Sequence, residues 1–117
     1  MQQRRFHRIT FSAPGELSHH GLTYQVRLQN ISLRGALLAS DECLLVPVGD
    51  SCTLALSLPG EPPVLITAQA VHTFFSMLGI KFVGFTAGAE QRLYALLKNI
   101  TSQADLLEEE WHVILRH

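Results

Sequence analysis

The sequence predicts a mainly β fold: a six-stranded antiparallel β-barrel followed by C-terminal α-helices. Three observations lead to this prediction. Apolar and polar residues alternate over short stretches between residues 9 and 85, as they do in strands with one buried face. Turn residues separate the stretches at hairpin-like spacing, which favours a closed or nearly closed barrel. After Phe85 the apolar period lengthens to that of a helix.

Composition and charge narrow the classes of protein. The 117 residues, 47% of them hydrophobic and 16% charged, indicate one globular domain. A net charge of −1 argues against a protein that binds nucleic acids non-specifically, because such a protein needs a broad basic surface. Three of the nine Lys and Arg residues nevertheless lie within the first eight positions. A local basic segment on a near-neutral body suits a small anionic ligand better than a long polyanion.

The sequence shows neither an apolar run of membrane-spanning length nor a signal-peptide pattern, so we expect a cytoplasmic protein. Cys43 and Cys52 form no C-x-x-C motif, and we expect both thiols to be reduced and packed. The adjacent His19 and His20 could hold a metal ion only with a third ligand, and the sequence around them shows none. A polar turn is therefore the preferred interpretation of this pair.

The first half of the predicted barrel begins after residues 1–8, which carry no period and are expected to form a flexible Arg-rich arm. A short strand from Ile9 should end at Pro14-Gly15, and His19-His20-Gly21 should form a turn. The alternation from Leu22 to Leu28 is the clearest in the chain.

This alternation breaks at Asn30, where the backbone must turn or bulge. Gly35 follows as the residue best able to take a positive φ angle. A more fully buried strand is expected over residues 36–39.

The second half of the barrel supplies three more strands, over residues 52–58, 64–74 and 78–82. Residues 86–117 are expected to form helices. Thr86 is the predicted N-cap of the first, and Ser102 or Asp105 that of the second. Leu107, Trp111 and Ile114 are expected to pack on the barrel, and Glu108 to Glu110 to face solvent.

Two polar stretches stand out from this framework. Arg4-Arg5-Phe6-His7-Arg8 places three guanidinium groups just ahead of the first strand. Asn30-Ile31-Ser32-Leu33-Arg34-Gly35 is a polar turn with a glycine, located where the second strand stops. Each is a common feature by itself, a solvated tail and an ordinary turn. Their occurrence together, in this order and ahead of the barrel strands, favours a ligand-binding site.

The two motifs, R-x-x-x-R and [DN]-x-S-x-x-G, are the pair that marks PilZ domains, and the chain resembles that family along nearly its whole length. The resemblance implies a PilZ-like barrel that binds cyclic di-GMP. It also implies that Arg4 and Arg8 are the two motif arginines. Arg5 is a third expected contact, since many relatives carry Arg-Arg here. Some relatives carry a guanine-stacking residue near the position of His72, for which packing at the barrel rim is the alternative.

These residue types suit a cyclic dinucleotide on chemical grounds. An Arg fork can donate to guanine O6 and N7, grip a phosphate or stack on a base. The Asn30 amide can accept from guanine N1–H or N2–H, and the Ser32 hydroxyl can bond a phosphate, a base or its own turn. Gly35 either lets the ligand approach the backbone or permits the turn. We expect Arg4, Arg5, Arg8, Asn30, Ser32, Gly35 and His72 to bind the ligand.

The leading hypothesis is thus a receptor without catalytic activity or cofactor, which relays cyclic di-GMP to an unidentified effector protein. The family influences motility, chemotaxis, exopolysaccharide synthesis and biofilm control, and the sequence does not select among these. One alternative is a PilZ-type protein-interaction adaptor that binds nucleotide weakly or not at all. Another is a barrel for single-stranded nucleic acid, which would require aromatic and basic residues interleaved on a sheet. An enzyme is disfavoured because no nucleophile–base pair, metal cluster or phosphate loop is recognisable.

Overall fold

The computed structural model describes residues 6–58 and 60–115, which form six strands and two helices. The predicted fold, an antiparallel barrel followed by helices, is confirmed. No helix in these ranges is long and apolar enough to cross a membrane. The elements are β1 (Ile9–His19), β2 (Leu22–Ile31), β3 (Gly35–Ala39), β4 (Ser51–Leu56), β5 (Val64–Phe74), β6 (Met77–Phe85), α1 (Ala89–Ile100) and α2 (Ala104–Leu115).

The six strands form a closed antiparallel barrel in the order β1-β2-β3-β6-β5-β4. Pairing of β1 with β4 closes it, so no strand edge is left along this ring. Every strand turns alternate side chains inward, because successive residues of a strand face opposite sides. The interior is filled by branched aliphatic side chains, among them Leu17, Leu28, Leu38, Leu54, Ile66 and Leu78, all at 0% exposure.

Strand β1 is longer than predicted, because it continues through Pro14-Gly15 to His19. The Pro14 carbonyl accepts a hydrogen bond from Ser57, which lies just beyond the end of β4. In a strand, the N–H and C=O groups of one residue point to the same side. The nitrogen of Pro14, which carries no hydrogen, therefore faces β4, one residue past Gly15, where the β1–β4 ladder ends. Proline is tolerated where no ladder bond is lost.

The predicted turn after β1 is confirmed as a two-residue hairpin loop. His20 has a φ angle of 48° and Gly21 one of 80°. Positive φ at both central positions is the geometry of a type I′ turn, whose twist matches that of the flanking strands. β1 and β2 therefore form one long hairpin, with this turn at one end and Ile9 paired with Ile31 at the other.

The start of α1 differs from the prediction of Thr86 as its N-cap. The N-cap is Gly88, in the left-handed conformation with φ 82°. Thr86 stands two residues earlier, and its hydroxyl donates to the Leu65 carbonyl at 3.4 Å instead. Gly88 takes this left-handed conformation in the connection between β6 and α1, and glycine adopts it without steric cost.

Helix α2 begins at Ala104, and neither Ser102 nor Asp105 occupies its capping position. The Gln103 carbonyl accepts the first backbone bond, from Leu107 at 3.1 Å. As predicted, Leu107 and Trp111 belong to the buried core, with Ile114 packed against it. The Trp111 ring also stacks on Tyr94 of α1, with centroids 4.5 Å apart.

Candidate functional site

Of the three arginines expected at the site, Arg8 is the one that the structure describes. It lies beside Asn30, the first residue of the second motif. Its Nη1 donates to Oδ1 of Asn30 at 2.8 Å, across 22 positions of sequence. Arg8 directly precedes β1, and Asn30 is the next-to-last residue of β2, so the hairpin pairing brings the two together. The other two expected arginines, Arg4 and Arg5, lie outside the described residues.

Asn30 belongs to a row of residues that crosses the outer face of the barrel. It lies opposite Thr10 of β1 and Leu37 of β3. Leu37 lies opposite Gly79 of β6, which in turn lies opposite His72 of β5. All five residues are exposed or half-buried, because directly opposed residues share one face of a sheet. His72 is three strand spacings from Asn30, roughly 14 Å along the sheet.

Irregular pairing occurs at Asn30 and at His72 in this row. The β2–β3 register shifts between Leu28 and Asn30, and the β5–β6 register shifts between Ala70 and His72. A bulge re-aims the neighbouring side chains and bends the strand, and such features are common at barrel rims and beside binding sites. The row therefore lies on a locally curved part of the sheet.

Ser32 is committed to its own loop. It is only 3% exposed, and its hydroxyl accepts from the N–H groups of Arg34 and Gly35 at 3.1 and 3.2 Å. Its own N–H donates to the Gly35 carbonyl at 2.8 Å. Of the roles left open by the sequence, bonding within the turn is therefore the one that this geometry favours.

The expectation of a positive φ angle at Gly35 is wrong. Gly35 begins β3 and pairs with Lys81 of β6 in an extended strand. A Cβ atom at this position would lie 2.4 Å from the carbonyl oxygen of Ile80. Glycine is needed here because two strand backbones approach closely, which is a requirement of packing.

Residues 6 and 7 of the predicted arm contact the core and the helical part of the chain, a feature that the sequence did not reveal. The His7 N–H donates to Oε2 of Glu110 at 2.6 Å, and its Nε2 lies 3.1 Å from the Thr101 hydroxyl. Glu110 is 2% exposed, so the expectation that it faces solvent is wrong. Phe6 packs against the core, and the Arg34 guanidinium lies 5.2 Å from its ring centroid. Residues 6 and 7 are thus held against the body, in contrast to the flexible arm expected over residues 1–8.

Lys81 is a cation close to this row that the sequence patterns did not point to. It is exposed, and it lies two residues from Gly79 on the same face of β6. The alternation of β6 indicated this orientation, but the position of β6 beside β3 in the barrel could not be read from the chain. Together with Arg8 and Arg34, Lys81 makes this surface locally basic. A basic surface attracts an anionic ligand.

The profile of the PilZ domain family matches residues 2–99. Among curated proteins, none matches the sequence. Solved structures that share the fold include the following three.

The PilZ domain with c-di-GMP of YcgR from Escherichia coli has a TM-score of 0.71 at 16% identity, covering 85% of this chain and 92% of that one. The Bacillus subtilis inhibitor of motility, MotI/DgrA, has a TM-score of 0.68 at 20% identity. That match covers 86% of this chain, which spans only 50% of MotI/DgrA. The PilZ domain of CeSA from a cellulose-synthesizing bacterium has a TM-score of 0.62 at 14% identity, covering 80% and 94% of the two chains.

Proposed function

Because this chain belongs to the PilZ domain family, we propose that it is a receptor for cyclic di-GMP. One similar structure, the YcgR domain, is described with this ligand. The observation that carries the proposal is the 2.8 Å hydrogen bond between Arg8 and Asn30, which joins the two motifs at one point of the surface. Cyclic di-GMP offers two phosphates and two guanine Hoogsteen edges, which match the donors gathered there.

Arg8 can bind the ligand while it keeps its hydrogen bond to Asn30. A guanidinium group carries five N–H donors in a planar fork, and Asn30 engages Nη1. Within the described parts of the chain, Arg8 has no second hydrogen-bond partner. Arg8 is therefore proposed to donate two hydrogen bonds, either to guanine O6 and N7 or to a phosphate. Asn30 is proposed to hold the orientation of Arg8 and to accept a hydrogen bond from guanine N1–H or N2–H. Arg4 and Arg5 are proposed as further contacts from the same arm.

The row across the barrel gives the second guanine a proposed position. Gly79 carries no side chain, so a flat base could lie over its backbone beside His72, whose Cβ would be 3.3 Å from a Cβ at that position. A base resting there could stack on the His72 imidazole. The proposed role of Ser32 and Gly35 is indirect, since they shape the loop that carries Asn30 and Arg34.

The contacts of residues 6 and 7 lower the entropic cost of ligand binding. Ordering a backbone residue costs about 1–2 kcal/mol. Phe6 and His7 already contact the core and α2, so they add little to this cost. The proposed output is a change in shape and charge around the arm, presented to an effector protein that controls motility, chemotaxis, exopolysaccharide synthesis or biofilm formation. This is a relay function, and we assign no catalytic step to the chain.

Calorimetric titration tests the proposal, with cyclic di-GMP, GMP and a short single-stranded oligonucleotide as separate ligands. We expect saturable binding of cyclic di-GMP and at least tenfold weaker binding of the other two. Absence of cyclic di-GMP binding by a folded protein would contradict the proposal and favour the adaptor alternative. Preferential binding of the oligonucleotide would instead favour a single-stranded nucleic-acid barrel.

A further inference from the structure

A second cluster of polar side chains lies at the opposite end of the β1–β2 hairpin from Arg8 and Asn30. It surrounds the type I′ turn after His19. β1 runs ten residue steps from Ile9 to His19, which corresponds to roughly 33 Å of extended chain. The cluster is therefore separate from the proposed nucleotide surface.

Two imidazoles and one carboxylate converge in this cluster. Nε2 of His19 lies 2.9 Å from Oδ2 of Asp50, and Nε2 of His20 lies 3.9 Å from the same oxygen. The ligand atoms of the three residues all lie within 4.8 Å of one another. The two imidazole rings are stacked, with centroids 3.9 Å apart and planes 14° from parallel. Both rings thus present a nitrogen toward the same carboxylate.

The fold holds these groups in place by backbone contacts. His19 is the last residue of β1 and is 6% exposed. His20 occupies the first central position of the I′ turn at φ 48°, where Asn, Asp or Gly is the usual choice. Asp50 directly precedes β4, and its carbonyl accepts from the N–H of Ala70 at 2.9 Å. The third ligand that the sequence did not show is therefore supplied by a loop 30 positions further along the chain.

We propose that His19, His20 and Asp50 form a binding site for Zn²⁺ or a chemically similar divalent transition-metal ion. Two imidazole nitrogens and a carboxylate oxygen are a ligand set that Zn²⁺ accepts, whereas Mg²⁺ and Ca²⁺ prefer oxygen ligands alone. Tetrahedral bonds of about 2.0–2.1 Å place ligand atoms about 3.3 Å apart. The side chain of His20 is 75% exposed and can adjust freely to reach this spacing.

A fourth ligand position is open to solvent. The two imidazoles line a surface cleft of about 290 Å³ together with the hydroxyl-bearing residues Ser51, Thr53 and Thr67. A water molecule on the metal would find hydrogen-bond partners among these hydroxyls. The bound ion would tie the β1–β2 turn to the start of β4, at the pair of strands that closes the barrel.

Titration of the untagged 117-residue chain with Zn²⁺, in competition with a chromophoric chelator, tests the site. We expect one ion per chain, and a visible d–d absorption when Co²⁺ replaces Zn²⁺. His20→Ala and Asp50→Asn should each weaken Zn²⁺ binding at least tenfold. His112→Ala is the matched control: it removes an exposed imidazole on α2, outside the cluster, and should leave binding unchanged.

Equal Zn²⁺ affinity of the wild-type protein and the folded His20→Ala variant would overturn the proposal and leave a simple His19–Asp50 hydrogen bond. Loss of binding in His112→Ala would also overturn it, because the acidic face around His112 would then be the binding surface. A cyclic di-GMP titration of His20→Ala separates the two proposals. We expect its nucleotide affinity to match that of the wild-type protein, whichever way the metal titration turns out.

Discussion

At the scale of single residues, the candidate nucleotide site depends on a contact between two side chains distant in sequence. Arg8 is exposed, and its bond to Asn30 lies at the surface. Exposed polar contacts of this kind contribute little to folding, because water competes for both partners. Loss of the pair should therefore affect the proposed ligand binding more than the stability of the domain.

Arg8→Ala should weaken cyclic di-GMP binding at least tenfold, because the charged fork to guanine or phosphate is lost. The melting temperature of the unliganded domain should change by less than about 2 °C, as expected for an exposed residue. Calorimetry and thermal unfolding measure the two effects. Arg27→Ala is the matched control, since it removes another exposed Arg that is paired with Asp41 at 3.2 Å. Unchanged affinity in Arg8→Ala would remove Arg8 from the site.

At the scale of elements, the loop between β2 and β3 is held by internal bonds and by the fit of β3 against β6. Ser32 satisfies two N–H groups of the loop. Gly35 allows β3 to lie close to Ile80. The loop is thus shaped before ligand arrives, which lowers the conformational cost of binding.

Gly35→Ala should destabilise the domain by about 1–3 kcal/mol, because the added Cβ meets backbone that cannot move without disturbing the barrel. Gly84→Ala in β6 is the matched control: its Cβ would lie 3.6 Å from the nearest atom, in ordinary contact. Urea unfolding of both variants measures the difference. Equal stability of the two would show that β3 and β6 can separate at little cost.

At the scale of the whole molecule, one closed core supports two separate polar surfaces. Phe6 and Trp111 both pack on the core that the barrel encloses with the helices. Cys52 lies in this interior at the start of β4, and burial, with a smaller contribution from the Asp50 carboxylate, raises the pKa of its thiol to about 11. Its ionisation is therefore coupled to unfolding of the molecule.

The unfolded chain loses the Cys52 proton near pH 9, whereas the folded chain keeps it until about pH 11. The free energy of unfolding should therefore fall by about 1–3 kcal/mol as the pH rises from 9 to 11. Denaturant unfolding across this range measures the slope, and Cys52→Ala should remove that part of it. Cys43 is exposed, contrary to the expectation that both thiols are packed, and Cys43→Ala serves as the comparison variant. Identical slopes in the wild-type protein and Cys52→Ala would contradict the raised pKa.

Much of the fold was readable from the sequence, because the alternation of side chains in a strand is a local property. The clear alternation from Leu22 predicted β2, and the stretch His19-His20-Gly21 predicted the turn before it, although not its type I′ geometry. Predictions from local sequence patterns were wrong where a distant segment of the chain changed the surroundings of a residue. Pro14 is accommodated within β1 because β4 ends beside it, and Glu110 is buried at a position where it also accepts a bond from the distant His7.

The sequence by itself determined the barrel, the family and the residue types available for binding, since periodicity and motifs are carried by neighbouring positions. Tertiary structure alone decided which of these side chains meet. It placed Arg8 against Asn30, aligned His72 with the same row, and supplied Asp50 to His19. The physical reason is that closure of the barrel fixes distances between residues far apart in the chain, and binding chemistry depends on those distances.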